Sequence, residues 1–440
     1  MLGILANRTY RHLFAAQIVA LIGTGLATVA LGLLAYDLAG ASAGEVLGTA
    51  LAIKMLAYIG VAPVAAAFAE RLPRRAMLVA LDLIRAVVAL SLPFVTQAWQ
   101  IYLLIFVLQS ASAAFTPTFQ ATIPDVLPKE EDYTRALSLS RLAYDLESVA
   151  SPMLAALLLT VVSFHSLFWG TMVGFLASAA LVVSVVLPAA KIPPRRGIYD
   201  RTTRGLRIYL ATPRLRGLLA LNIAVAAASS MVIVNTVVLV QGHYGLTQHA
   251  TAWALATFGG GSMLAALVLP RLLERIPDRR AMLAGAGVLA GGLIAGAMVG
   301  TYGWLLPLWF ILGLGYSLAQ TPSGRLLRRS AHQEDRPALF AAQFALSHAC
   351  WLITYPLAGW LSANVSATIT FIVMGALAAA ALAIAARIWP SQDPDQVSHA
   401  HPELQPDHDH MLEHPAGSAG HRHEYIVDDQ HRHWPSGPER

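Results

Sequence analysis

Apolar runs of about twenty residues, separated by short polar breaks, fill the chain as far as residue 390. They fall near 13–38, 46–69, 76–96, 99–122, 138–161, 164–187, 217–240, 251–273, 281–301, 304–323, 338–361 and 364–388. About twenty helical residues cross the roughly 30 Å of bilayer hydrocarbon. Lipid offers no partner to a free backbone amide, so each run predicts a helix. The expected fold class is an all-α membrane protein with twelve transmembrane helices. The run after Arg8 and Arg11 continues to about Leu38, too long for a signal peptide, and is read as the first span.

The polar breaks repeat. Residues 70–79 read Glu-Arg-Leu-Pro-Arg-Arg-Ala-Met-Leu-Val, and residues 274–284 read Glu-Arg-Ile-Pro-Asp-Arg-Arg-Ala-Met-Leu-Ala, as though Asp278 were inserted. The offset is 204 at Glu70/Glu274 and 205 at Arg74/Arg279. Thr116-Pro117 returns as Thr321-Pro322 after 205 residues, and Pro152 as Pro356 after 204. A shared offset predicts a duplicated six-helix unit. The expected organisation is a first half at 1–190, a linker at 191–216, a second half at 217–389 and a tail at 390–440.

Basic residues sort by connection. Arg8 and Arg11, Arg71, Arg74 and Arg75, Lys129 and Arg135, Arg275, Arg279 and Arg280, and Arg325, Arg328, Arg329 and Arg336 all fall on one side of the predicted bundle. The opposite connections, near 39–45, 97–98, 162–163, 241–250, 302–303 and 362–363, hold no Lys or Arg. The positive-inside rule then places both termini in the cytoplasm, with a bacterial inner membrane expected. In the linker, 199–211 predicts a basic amphipathic helix on the inner leaflet, with Leu206, Tyr209 and Leu210 apolar.

Composition agrees: 56% of the residues are hydrophobic and 12% charged, about half the charged fraction of a soluble domain. The net charge of +5 is explained by topology, and no nucleic-acid partner is expected. One cysteine, Cys350, precludes a disulfide framework within the chain. No Gly-x-x-x-x-Gly-Lys phosphate loop is present, so neither ATP nor a cofactor is expected to drive it, and nothing points to an enzyme.

Charges inside apolar runs are costly and usually face the bundle interior. Lys54, Asp82, Arg85, Asp145, Glu147 and His348 are the coupling or transport candidates. Asp82 and Arg85 stand i,i+3, and Arg141 and Asp145 i,i+4, spacings that favour local ion pairs. Glu147 precedes the Ser151-Pro152 break by one turn and has no opposite charge at helical spacing. Lys54 is left to pair with Asp37 or Asp145, or to reset a cation site. His348 and Cys350, about 200° apart on one helix, are not joint ligands.

The last fifty residues lack apolar periodicity and are expected to be disordered. They hold His399, His401, His408, His410, His414, His421, His423, His431 and His433, eight of them as four His-x-His pairs. In extended chain, positions i and i+2 share a face. Imidazole with nearby carboxylate suits Zn, Ni, Co or Cu(II).

Twelve spans, two halves and the charged loop after spans two and eight resemble the major facilitator superfamily. Its loop pattern, Gly-x-x-x-Asp-Arg-x-Gly-Arg-Arg, reads here Ala66-x-x-x-Glu70-Arg71-x-Pro73-Arg74-Arg75. The resemblance implies a gating loop at Glu70, Arg71, Arg74 and Arg75, and its repeat at Glu274, Arg275, Arg279 and Arg280. The family's antiporter motif is matched at Ser151-Pro152 and Ala155-Ala156, without its glycines. Phe115-Thr116-Pro117 with Ile123-Pro124-Asp125-Val126-Leu127-Pro128 is similar to the macrolide-exporter branch; the histidine-rich tail resembles that of bacterial nickel-resistance permeases. These likenesses imply a monomeric, proton-coupled exporter of nickel or cobalt. The alternatives are a multidrug or macrolide antiporter and, in another class, a membrane metal sensor.

Overall fold

The computed structural model describes residues 2–69, 73–187, 198–273, 275–332, 335–393, 396–399, 421–427, 431 and 434. The N-terminal half contains α1 (Arg8–Ala39), α2 (Ala43–Ala69), α3 (Arg74–Ser91), α4 (Ala98–Val126), α5 (Glu130–Leu158) and α6 (Phe164–Val183). A linker helix, α7 (Ile198–Ala211), leads to α8 (Pro213–Val237), α9 (Gln248–Leu272), α10 (Asp278–Gly296), α11 (Tyr302–Gln320), the short α12 (Ser323–Arg329), α13 (Arg336–Asn364) and α14 (Ala367–Ile388). Twelve long helices thus occupy the twelve apolar runs in two six-helix halves. Among the described residues, nine stretches are long and apolar enough to cross a membrane, the first, Arg8–Val61, spanning α1 and α2.

Helix starts follow local chemistry. The Asn7 side chain accepts the Tyr10 amide at 3.0 Å, Gln97 and Gln100 form a reciprocal cap on α4, and Ser366 accepts the Ile369 amide; each satisfies a helix donor that lacks a partner. Small residues let neighbouring backbones meet. A Cβ added at Gly174 of α6 would lie 3.2 Å from the Val19 carbonyl of α1, and Thr171 donates to the Gly23 carbonyl at 2.8 Å across the same seam. Close backbone approach substitutes for the hydrophobic effect, which is absent between helices in lipid.

The repeat is refined by the structure. Pro73 caps α3 and Pro277 caps α10, so Arg74 and Asp278 are the equivalent first residues of the two helices. The Thr-Pro landmarks also diverge: α4 runs through Thr116-Pro117, whereas α11 ends at Gln320 and α12 restarts after Pro322.

Two segments make contacts that the sequence did not suggest. The linker helix packs against α13 rather than lying free on lipid: Gly205, Ile208 and Tyr209 are buried, and Leu206 and Leu210 exposed. Arg204 pairs with Asp335, its Nη2 at 2.9 Å, so a protein partner occupies the face expected to meet headgroups. The tail, expected to be disordered, carries two antiparallel strands in its described residues, β1 (Gln396–His399) and β2 (His421–Glu424). Tyr425, Ile426 and Val427, just after β2, are buried, and this apolar triplet supplies the burial that composition alone did not suggest.

Candidate functional site

The basic connections form a clasp on each half. In the first, Arg74 at the start of α3 pairs with Asp125 near the end of α4, and Arg75 donates to the Val183 carbonyl of α6. In the second, Asp278 at the start of α10 pairs with Arg325 of α12. Arg279 donates to the carbonyls of Trp389 and Ala386, at 3.0 and 2.9 Å. The architecture repeats with the ion pair's polarity reversed. Arg275 and Arg280 are exposed; Glu70, Arg71 and Glu274 lie outside the described residues.

At the opposite end the two halves touch. A Cβ on Gly48 of α2 would stand 2.5 Å from the Tyr355 carbonyl of α13. Gly44 and Gly359 pack backbone to backbone across the same seam. Asn364 donates to Glu45 at 3.4 Å, and a Cβ on Gly44 of α2 would stand 3.1 Å from Asn235 Oδ1 of α8.

Between these ends lies a polar centre. Lys54 of α2 and Glu147 of α5 act electrostatically on each other. Glu147 is seated by a glycine: a Cβ at Gly25 of α1 would come 2.7 Å from its Oε1 and would overlap Ser151. The Lys54 ammonium stands 5.7 Å from the centre of the Tyr58 ring. Tyr58 in turn meets His348 of α13, ring centroids 5.3 Å apart, and Phe344 at 5.8 Å. His348 Nδ1 donates to the Phe344 carbonyl at 2.6 Å. A carbonyl only accepts, so Nδ1 carries a hydrogen.

Beside this centre, in the second half, is a cavity of about 120 Å³ lined by Ser229, Ile233, Phe258, Ser262, Tyr316, Trp351 and Tyr355. The Trp351 indole N–H donates to Ser229 Oγ at 2.7 Å, fixing one wall. The first half thus brings the charges and the second brings aromatic rings and hydroxyls.

The sequence candidates divide accordingly. Lys54, Glu147 and His348 are brought together. Asp82 and Arg85 form their expected i,i+3 pair within the first half, where Ser178 of α6 donates to Asp82 at 2.8 Å. The Arg85 guanidinium lies over the rings of Phe115 and Phe175, 4.2 and 4.5 Å from their centroids. The side chain of Asp145 lies outside the described set. Tyr58, Tyr316 and Tyr355 were not singled out; a tyrosine in an apolar run carries no signal of its own.

Among the tail histidines, His399, His421 and His423 fall in the strand pair. His431 is buried against Tyr425, ring centroids 4.7 Å apart. His401, His408, His410, His414 and His433 are outside the described residues. Among the described residues no three His, Cys, Asp or Glu side chains are grouped to hold a metal ion.

The sequence profile of the Major Facilitator Superfamily matches residues 13–234 and again 218–415. The uncharacterized MFS-type transporter YfiS of Bacillus subtilis is 23% identical over 334 residues, covering 73% of this chain and 79% of the relative. The uncharacterized MFS-type transporter YvqJ of the same organism is 24% identical over 368 residues, covering 78% and 83%. Among solved structures, a bacterial homolog of the human lysosomal transporter Spinster, inward-facing and unoccupied, superposes with a TM-score of 0.67 at 12% identity over 87% of this chain and 98% of that one. The nucleoside transporter NupG gives 0.64 at 11% identity over 87% and 100%. Duplicated halves, a polar centre between them and a profile that matches each half converge on one conclusion: this chain belongs to the major facilitator superfamily, and is a secondary membrane transporter rather than an enzyme.

Proposed function

We propose that the transporter exports a small amphipathic organic cation in exchange for protons, with both termini and the two clasps in the cytoplasm. The orientation rests on the arginine-free connections at the opposite end. The observation that carries the substrate class is the cavity: its lining is aromatic and hydroxylic, with no carboxylate, imidazole or thiol. An apolar cavity of about 150 Å³ holds benzene, so about 120 Å³ suits one small ring of a solute whose charged end reaches the neighbouring Glu147.

Exchange follows from charge. Lys54 and Glu147 balance each other while the site is empty of solute. A cation at Glu147 and a proton on Glu147 each neutralise the same carboxylate, so they compete. The two occupancies then alternate as the halves rock about the centre.

Growth inhibition of a susceptible bacterial host tests the reading. Protection against planar amphipathic cations, lost in Glu147→Gln, is expected. Protection against nickel or cobalt alone would overturn it. That outcome would support the second reading, efflux of a divalent transition metal, which rests on the nine tail histidines.

A further inference from the structure

The Tyr58 ring joins the two halves at the polar centre. It belongs to α2 of the first half, and the rings it meets belong to α13 of the second, His348 at 5.3 Å and Phe344 at 5.8 Å between centroids. Phe344 and His348 are themselves 3.9 Å apart. The Trp351 ring, a wall of the central cavity, lies 6.0 Å from that of His348. Tyr58 also acts electrostatically on Tyr355, another wall of the cavity. The aromatic surface around Tyr58 therefore continues into the cavity. Tyr58 and His348 are half-buried and Phe344 is exposed, so ring surface is left uncovered for a solute.

One cation is already at this ring. The Lys54 ammonium, one helical turn before Tyr58, stands 5.7 Å from the ring centre, within the reach of about 6 Å at which a ring face attracts a cation. Lys54 also acts electrostatically on Glu147 and on His348, and Glu147 acts on Tyr58. Charge at the ring is thus answered by the carboxylate. A primary ammonium suits such a place poorly. It is strongly hydrated and carries three N–H donors, for which ring faces are weak partners, and burying an unbonded donor is costly. A quaternary ammonium has no N–H to satisfy, and aromatic faces are its favoured surroundings.

We propose that in the empty site the Lys54 ammonium holds the seat on the Tyr58 ring that the solute's cationic head takes, and that this ring selects a quaternary head. The inference deepens the reading of the chain as an organic-cation exporter and rests on it. The solute's own ring enters the cavity past Trp351, its head lies on Tyr58, and Lys54 turns away. Two cations do not share one ring face beside one carboxylate, so solute and Lys54 exclude each other. When the solute leaves, Lys54 returns and restores the charge balance with Glu147. The head touches rings from both halves, as a central site in an alternating-access transporter requires.

The test is calorimetric titration of the full chain in detergent, at mildly alkaline pH, with benzyltrimethylammonium and with benzylamine. The two probes share one ring and differ in the head. The unmodified chain should bind the quaternary cation more tightly. Tyr58→Leu should weaken that binding by about 30-fold, the equivalent of about 2 kcal/mol for a desolvated cation on a ring, and Tyr58→Phe should restore it. Lys54→Gln should tighten it by about fivefold, the release of a more exposed contact of the same kind; a damaged fold cannot produce that gain. Equal affinity in Tyr58→Leu and the unmodified chain, or tighter binding of benzylamine, would overturn the seat on Tyr58. Weaker binding in Lys54→Gln would overturn the displacement of Lys54. Each of these results still has an organic cation bound and leaves the exporter reading standing. Binding of neither probe by the unmodified chain would overturn both.

Discussion

Gly48→Ala should move the transporter away from the conformation described here. In this state the Gly48 Cα faces the Tyr355 carbonyl, and an added Cβ would lie 2.5 Å from that oxygen, with the Tyr355 carbonyl carbon at 3.2 Å and Gly359 Cα at 3.4 Å. An ordinary contact begins near 3.4 Å, so α2 and α13 must separate by about 3.4 − 2.5 = 0.9 Å. The obstacle is backbone, which has no rotamer to turn away. Inserting one carbon into a close-packed seam costs about 1–3 kcal/mol. A state in which these helix ends are apart avoids that cost, so its population relative to this one should rise about 5- to 150-fold. Spin labels at Ser42→Cys and Asn364→Cys, exposed positions on the two halves at this end, read the change as a longer inter-label distance. Cys350, the single native cysteine, is buried and would be replaced in the background. Gly60→Ala, on the same helix but with nothing within 4 Å of its Cβ, should leave the distribution unchanged. A Gly48→Ala protein that is folded, transports normally and keeps the short distance would refute the steric account.

Other expectations are simpler. Asp82→Ala should destabilise the solubilised protein by about 3–5 kcal/mol, because it strips a charge partner from the buried Arg85; a thermal or denaturant melt measures it, and a loss under 1 kcal/mol would show the pair to be dispensable. Arg214→Ala should loosen the tail, where the guanidinium meets Asp393 and the Tyr425 carbonyl. Its charge-assisted bonds are each worth about 1.5–3 kcal/mol, so protease release of the tail should quicken by at least about tenfold, while unaltered cleavage would mean that the tail is held elsewhere. Lys54→Gln should abolish exchange in proteoliposomes, since Gln removes the charge that faces Glu147; normal exchange would exclude Lys54 from the proposed cycle.

What was legible in the chain followed from one-dimensional constraints. Span length is set by the bilayer, so the twelve apolar runs and the twelve long helices coincide, their ends differing by at most eight residues. The Asp82–Arg85 pair was legible because i,i+3 neighbours on a helix meet whatever the fold. The proximity of Lys54 to Glu147 was not, because it depends on where the fold brings α2 and α5, and Lys54 had other carboxylates to choose from. The cavity wall was hidden for a related reason. Ser229, Phe258, Tyr316 and Tyr355 come from four helices, and serine and tyrosine occur in any membrane span. The linker helix's contact with α13 was hidden for the same reason: an amphipathic pattern shows that a face is covered but not by what, and α13 covers Gly205, Ile208 and Tyr209 here. In the tail, histidine content hid the short apolar triplet that anchors it.

The reversed polarity of the two clasps bears on biosynthesis. Two halves of common ancestry emerge from the ribosome in succession, and each start-of-helix loop meets two similar docking sites. Had both clasps kept Arg at the start of the third helix and Asp on the fourth, either loop would fit either site. With Arg74 answering Asp125 and Asp278 answering Arg325, a misdirected loop meets a like charge. Each half thus carries a key that fits its own lock. Exchanging Arg74 with Asp125 (Arg74→Asp with Asp125→Arg) would keep the pair but erase the distinction. The expected cost is a lower yield of correctly assembled protein, with unchanged stability in what does assemble.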